Sequence, residues 1–276
     1  MKAAVLLQGD PRFCKEFDKF LENLKGFDQV DYFVCLWKNN YLTANLLNGS
    51  GHIVVADSWR HLNEDWVIDK FKKELPDGHS LIKLQLLEQE DVPVHTVTEN
   101  YAPETRQENV WKMLYSLYQA NQLRVEHEKS LNFEYDVVIR TRPDVAVLGE
   151  LEADYLMSHL DNDNNLMIMP RNKRCGYYGV MICDLFGIGS SKTMTTYCDL
   201  YNQALDHHKA GCIFHPETLL AKHLQYNNIR YWPGEFNIEF RHLGKWRDTV
   251  TGEEWTSDKV PTWENKIYIS DFGRWE

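Results

Sequence analysis

The stretch "YDVVIRTRPDVAV", residues 135–147, decides how the rest of the chain is read. Val137, Val138 and Ile139 form an unbroken run of β-branched residues, which suits a strand buried in a sheet. Arg140, Arg142 and Asp144 follow without a glycine, and Pro143 ends the ladder by removing a backbone donor. Such a strand delivers two guanidinium groups and a carboxylate at its carboxyl end. Two readings fit: ion pairs closing the sheet, or a site for an anionic ligand.

Outward from this strand the chain alternates between two periodicities. Residues 3–8 read as a first strand, followed by the turn "QGDPR" and an amphipathic helix over 12–25 with Phe13, Phe17, Phe20, Leu21 and Leu24 at helical spacing. "VDYFVCLW", 30–37, is a second strand. The segment 41–97 reads as irregular, with a strand-like "HIVVA", a helix around 62–74 and a short "VPVHTV". Residues 104–131 carry the longest helical pattern and lead into the strand 136–142. Beyond it come "NLMIMP", the stretch "GVMICDLFGIG" with an apolar strand that Asp184 ends, a helix from Ser190 to about Lys209, and a helix starting near Pro216. This alternation predicts an α/β fold with a mostly parallel sheet and helices on both faces. Ligands of such sheets sit outside the carboxyl ends of strands, where "QGDPR" and "RTRPD" both fall.

The charges then acquire a purpose. Arg140 and Arg142 are two apart and share a face of an extended strand. Guanidinium forks match phosphate oxygens. Gly9 lets the backbone approach a ligand closely, and Arg12 enters at the first turn of a helix, where an anion is also favoured. Asp144 can hold a divalent cation or a ribose hydroxyl. Two strand ends with matching chemistry favour a diphosphate pocket over isolated ion pairs.

Composition narrows the partners. The chain has 276 residues and a net charge of −11, which argues against broad nucleic-acid binding. Nine Trp and fourteen Tyr exceed the needs of a core and offer planes for stacking sugars or bases. The six cysteines show no CxxC pair or metal-finger spacing and read as reduced core residues. No stretch approaches a membrane span, and "KAAVLLQG" is too short for a signal peptide, so the expectation is a soluble, cytoplasmic protein.

The order "LLQGDPR", "DYFVCLW", "NVWKMLYSLYQANQL", "YDVVIRTRPDV", "DLFGIGSSKTMTTY" and "HPETLLAKHL" resembles the GT-A-fold glycosyltransferases of polysaccharide and lipopolysaccharide synthesis. The likeness runs over roughly residues 3–240 and is weakest over 41–97. It implies one GT-A-like, Rossmann-type domain over 1–276, with a Trp-rich extension at about 244–276. It also implies sugar transfer from a nucleotide-diphosphate-sugar to a glycan or other acceptor. In that family an Asp-x-Asp motif follows this strand and binds the metal, Mn²⁺ or Mg²⁺. Here it reads Arg142-Pro143-Asp144, so the first acid is an arginine. Either the arginine neutralises the diphosphate itself, or Asp144 binds metal with a later ligand such as His242.

The remaining site candidates carry a structural reading beside the functional one. Glu217 opens the helix after Pro216, where an acid suits the dipole, and the resemblance makes it the first candidate for the general base. Asp184 is the second, or else a cap on the loop leading to Ser190. Asn109, Lys112 and Ser116 share a polar stripe on the long helix. The resemblance puts that helix beside the nucleotide, making Asn109 and Lys112 donor contacts. Trp37 reads as core or as a base-stacking plane, and His207-His208 as an exposed helix end. Two other classes compete: a nucleotidyltransferase, although "QGDPRF" lacks the Gly-rich, lysine-bearing loop, and a non-catalytic carbohydrate-binding protein on a degenerate transferase fold.

Overall fold

Strand β1, Lys2–Gly9, is buried along its whole length past Lys2, as befits a central strand covered by helices on both faces. The computed structural model describes residues 1–11, 17–38, 42–47, 53–58, 64–102, 106–170, 174–176, 179–234, 237–240, 245–248 and 254–256. Among these, β2 (Gln29–Trp37), β3 (His79–Leu87), β4 (Val137–Thr141), β5 (Leu166–Met169), β6 (Gly187–Gly189) and β7 (Arg230–Pro233) join β1 in one sheet. The spatial order is β3-β2-β1-β4-β6-β5-β7, and β6 runs antiparallel to both of its neighbours in an otherwise parallel sheet.

The helices are α1 (Phe17–Glu22), α2 (Glu64–Glu74), α3 (Gln107–Leu131), α4 (Ala153–Leu160), α5 (Ser191–Cys198), α6 (Leu200–Lys209) and α7 (Pro216–Tyr226). Alternation along the strands divides their side chains between two cores. Ala4, Leu6, Phe33 and Val138 pack with α3, α5, α6 and α7, while Val5, Leu7, Val137 and Ile139 pack with α1, α2 and α4. The expected class, a mostly parallel α/β sheet with helices on both faces, is the fold adopted. No described helix is long and apolar enough to cross a membrane.

Several elements correct the sequence reading. The segment taken as irregular contains β3, an edge strand whose mostly half-exposed residues, including exposed Lys83, blur the apolar signal. It also contains strands Leu42–Leu47 and Ile53–Ser58. These pair with Lys245–Asp248 and Glu254–Thr256 of the Trp-rich extension in a four-stranded sheet. The strand expected to end at Asp184 stops at Met181. Gly179–Met181 pairs with Arg174–Gly176, and β6 begins only at Gly187, so Asp184 lies in the connection. Ser190 caps α5 itself, its Oγ accepting from the Thr193 N–H at 3.2 Å. The helix expected from Ser190 to Lys209 breaks at Asp199, whose carboxylate accepts from Asn202 and Gln203 at 2.7 and 2.6 Å at the start of α6.

A buried polar network locks α3 to the sheet. Arg124 is fully buried, and its guanidinium donates to Asn121 at 2.7 Å, Glu128 at 2.6 Å, Ser191 at 2.5 Å and Thr195 at 2.6 Å. Glu128 accepts from the Tyr135 N–H at 2.9 Å, and the Tyr135 hydroxyl donates to Asp31 at 2.6 Å. Every nitrogen of this buried cation has a partner, which is the condition for a stable buried charge.

His207 is not the exposed residue that its place at a helix end suggests. It is buried between α6 and α7, its Nε2 2.9 Å from Nδ1 of the fully buried His223. His223 Nε2 lies 2.6 Å from the Thr196 carbonyl, so it must donate there. Nδ1 must therefore accept from His207, and a proton added to Nδ1 would face a donor. Burial first, and then His207, hold His223 down at about 4, against the opposing hydrogen bond to Thr196 and the charge of Asp199. The unfolded chain takes up this proton near 6.5 and the native chain only near 4, so stability is full above pH 6.5 and falls as pH drops toward 4. Melting curves from pH 8 to 4 are expected to show a loss of up to the order of 3 kcal/mol from this residue, and His223→Gln removes that part of the slope. A wild-type melting temperature that is flat between pH 6.5 and 4 would contradict the tautomer assignment.

Candidate functional site

β1 is flanked by β2 on one side and β4 on the other. The chain leaves β1 toward β2 and β3, then returns through α3 to place β4 on the opposite flank. The strand order therefore reverses between β1 and β4, and the crevice outside their carboxyl ends is where open α/β sheets bind ligands. Gly9 closes β1 with φ of +110° and nothing within 4 Å of where a Cβ would stand. It is needed there for backbone conformation rather than for room. Asp10 follows, half-buried.

Across the crevice, Arg142 and Asp144 form a two-pronged pair. Arg142 Nε donates to Oδ1 at 2.9 Å and Nη2 donates to Oδ2 at 2.8 Å, with the Asp144 side chain 1% exposed. Burial disfavours the Arg142 cation. Asp144, by its charge and its hydrogen bonds, and then Asp184 and Asp10 outweigh burial and raise the Arg142 pKa above its ordinary value. Three carboxylates from separate segments thus act on one guanidinium.

Arg140 differs from every other described cation. It is fully buried, and Nε, Nη1 and Nη2 all lack a hydrogen-bond partner among the described residues. Its strand neighbour Val138 belongs to the core beneath α3 and α5–α7, and alternation directs Arg140 to the same face. Its charge acts there on Cys183, Tyr197 and Cys198, lowering pKa values that burial has raised, to about 11 for Cys183 and about 12 for Cys198. Thiols held so high are protonated and inert at neutral pH. Gln8, also fully buried, accepts at Oε1 from the Ser116 hydroxyl at 2.7 Å, whereas its Nε2 has no acceptor.

Cys183 identifies the opposite wall. Burial is the largest influence on it, followed by Asp184, the Leu185 N–H, Arg140 and Glu217. Glu217 is half-buried in the first turn of α7, and its carbonyl accepts from the Ile182 N–H at 3.3 Å. The fold therefore brings Gly9, Arg140, Arg142, Asp144, Asp184 and Glu217 to one region from four separate parts of the chain.

Other candidates stand elsewhere. Asn109 is exposed, and Lys112 is engaged by Glu108 and by Gln89, the latter at 2.7 Å. Ser116, the third member of that polar stripe, turns inward instead, its hydroxyl donating to Gln8 of β1. Trp37 is 4% exposed within the core, so its stacking reading gives way to packing. Arg12 and His242 lie outside the described residues. His242 was the expected second ligand for Mn²⁺ or Mg²⁺, so that part of the metal expectation lies outside the described residues as well. Both Asp144 oxygens are on Arg142, and no group of three or more His, Cys, Asp or Glu among the described residues could hold a metal.

Gln8 and Asp10 also escaped the sequence reading. Gln8 breaks the apolar run Ala3–Leu7 one residue before Gly9 closes the strand, and that interruption was the available signal. Asp10 sits within the quoted turn, where its neighbours Gly9 and Arg12 drew the reading. No protein-family model matches this chain, and no curated protein sequence matches it.

Proposed function

We propose that the crevice between β1 and β4 binds the diphosphate of a nucleotide-sugar, and that the protein is a glycosyltransferase. The observation that carries this reading is the convergence of two arginines and four carboxylates, Asp10, Asp144, Asp184 and Glu217, on the reversal point of the sheet. Guanidinium groups suit phosphoryl oxygens. Carboxylates suit the hydroxyls of ribose and of a sugar, which they accept from as paired acceptors. A site built for phosphate alone would have no use for the acids.

In this reading Arg142 takes up charge on the diphosphate as the glycosidic C–O bond breaks, since oriented donors aimed at developing charge lower a barrier most. An acceptor hydroxyl forms the new bond to the anomeric carbon and yields its proton to Glu217, with Asp184 as the second candidate base. Asp144 orients the Arg142 fork. No step is assigned to a metal.

The test is calorimetry with UDP, GDP and their nucleosides, in manganese and in chelator. The expected result is binding of at least one diphosphate. Arg142→Lys, which keeps the charge opposite Asp144 but loses the fork, is expected to weaken that diphosphate at least tenfold and leave its nucleoside unchanged. Equal losses for both would remove the phosphate role of Arg142. Nucleotide-sugar binding without hydrolysis or transfer would instead favour the carbohydrate-binding class.

A further inference from the structure

We propose that Arg140 is the floor of a subsite for a carboxylate on the donor sugar, so that the donor is a nucleotide-hexuronate rather than a neutral nucleotide-hexose. This rests on the nucleotide-sugar reading above and names its substrate class.

Depth separates Arg140 from the diphosphate. Arg140 pairs in register with Leu6, three residues below Gly9 at the end of β1. At about 3.3 Å per residue its backbone lies roughly 10 Å beneath the rim, where a diphosphate would rest. On its other side Arg140 is in register with Gly187 of β6, and its charge acts on Cys183 beside Asp184 and Glu217. An anion reaching Arg140 therefore belongs to the part of the ligand that enters past the proposed base, which is the sugar and not the nucleotide.

The hydrogen-bonding pattern selects an acceptor. On the carboxyl ends of β1 and β4 the buried groups left open on this face are donors, the three nitrogens of Arg140 and Nε2 of Gln8, while the open Thr218 hydroxyl on α7 can act either way and Asp31 Oδ1 lies toward the opposite end of the sheet. A hydroxyl brings a donor of its own into such a setting, whereas an oxyanion brings only acceptors. Arg124 shows what the same chain does when a buried guanidinium is structural: its nitrogens all bond within the fold. Charge balance then distinguishes the oxyanions. One carboxylate neutralises one guanidinium, while a phosphoryl group near −2 would leave a net charge buried.

The experiment is calorimetry on the full chain with UDP, UDP-glucose and UDP-glucuronate, and with GDP, GDP-mannose and GDP-mannuronate. For the nucleotide that binds, the uronate is expected to bind at least tenfold more tightly than its neutral partner. Arg140→Met is expected to abolish that preference, uronate and neutral sugar then binding alike, with a melting curve verifying the fold. Diphosphate binding with no uronate preference in the wild type overturns the carboxylate subsite alone. Failure of every nucleotide to bind overturns this inference together with the nucleotide-sugar reading.

Discussion

Arg140→Met is expected to make the protein more stable than the wild type. The guanidinium is fully buried, and all three of its nitrogens lack acceptors among the described residues. An ion held in that way costs several kcal/mol in lost hydration. Methionine is flexible enough to occupy much of the same volume among apolar neighbours. The expected gain is about 1–4 kcal/mol, visible as a higher denaturant midpoint at an unchanged slope. Arg124→Met is the control with the opposite sign. It strands Glu128 in a buried network and is expected to cost about 3–5 kcal/mol. Should Arg140→Met destabilise the protein as Arg124→Met does, Arg140 would be a structural cation and the subsite would lose its foundation.

Glu217→Gln is expected to separate chemistry from folding and from donor binding. The carboxylate lies in the first turn of α7, so its share in helix stability is at most about 1 kcal/mol. Loss of a general base costs roughly 10²–10⁴-fold in rate. Glutamine keeps the shape and removes the charge. Melting temperature and donor affinity should therefore stay close to wild type while transfer, or donor hydrolysis when no acceptor is supplied, collapses. A variant with near-normal turnover would strip Glu217 of the role, and Asp184→Asn would be measured next. Normal turnover in both variants would leave the departing phosphate to take the acceptor proton, a route that fits retention at the anomeric centre.

What was legible in the sequence followed burial. β1, β2 and β4 are buried on both faces, and continuous apolar runs mark such strands plainly. The edge strand β3 carries half-exposed residues throughout most of its length, so period and composition both weaken there. The charged cluster was visible because arginine and aspartate at the end of an apolar strand break a strong pattern. Which residues of a polar stripe turn inward was not visible. Ser116 and Asn109 differ in burial only because of how α3 lies across β1, which is set by long-range packing. His207 was misread for the same reason, since its partner His223 comes from another helix. Glu217 and Asp184 were proposed through resemblance, and their shared neighbour Cys183 emerged only from the fold.

The four-stranded sheet imposes an order on synthesis. Ile53–Ser58 has Leu42–Leu47 beside it in sequence, but its other neighbour is Lys245–Asp248. Asp57 pairs with Lys245, so roughly 190 positions separate the two sides of one ladder. At 5–20 residues per second a ribosome takes about 10–40 s to deliver that second side. During this interval the backbone donors and acceptors along one edge of Ile53–Ser58 have no native partner, and an open strand edge is a template for pairing with other chains. The hairpin is thus made early and completed late. Its solubility in the interval is governed by how quickly Lys245–Asp248 follows the rest of the fold out of the ribosome.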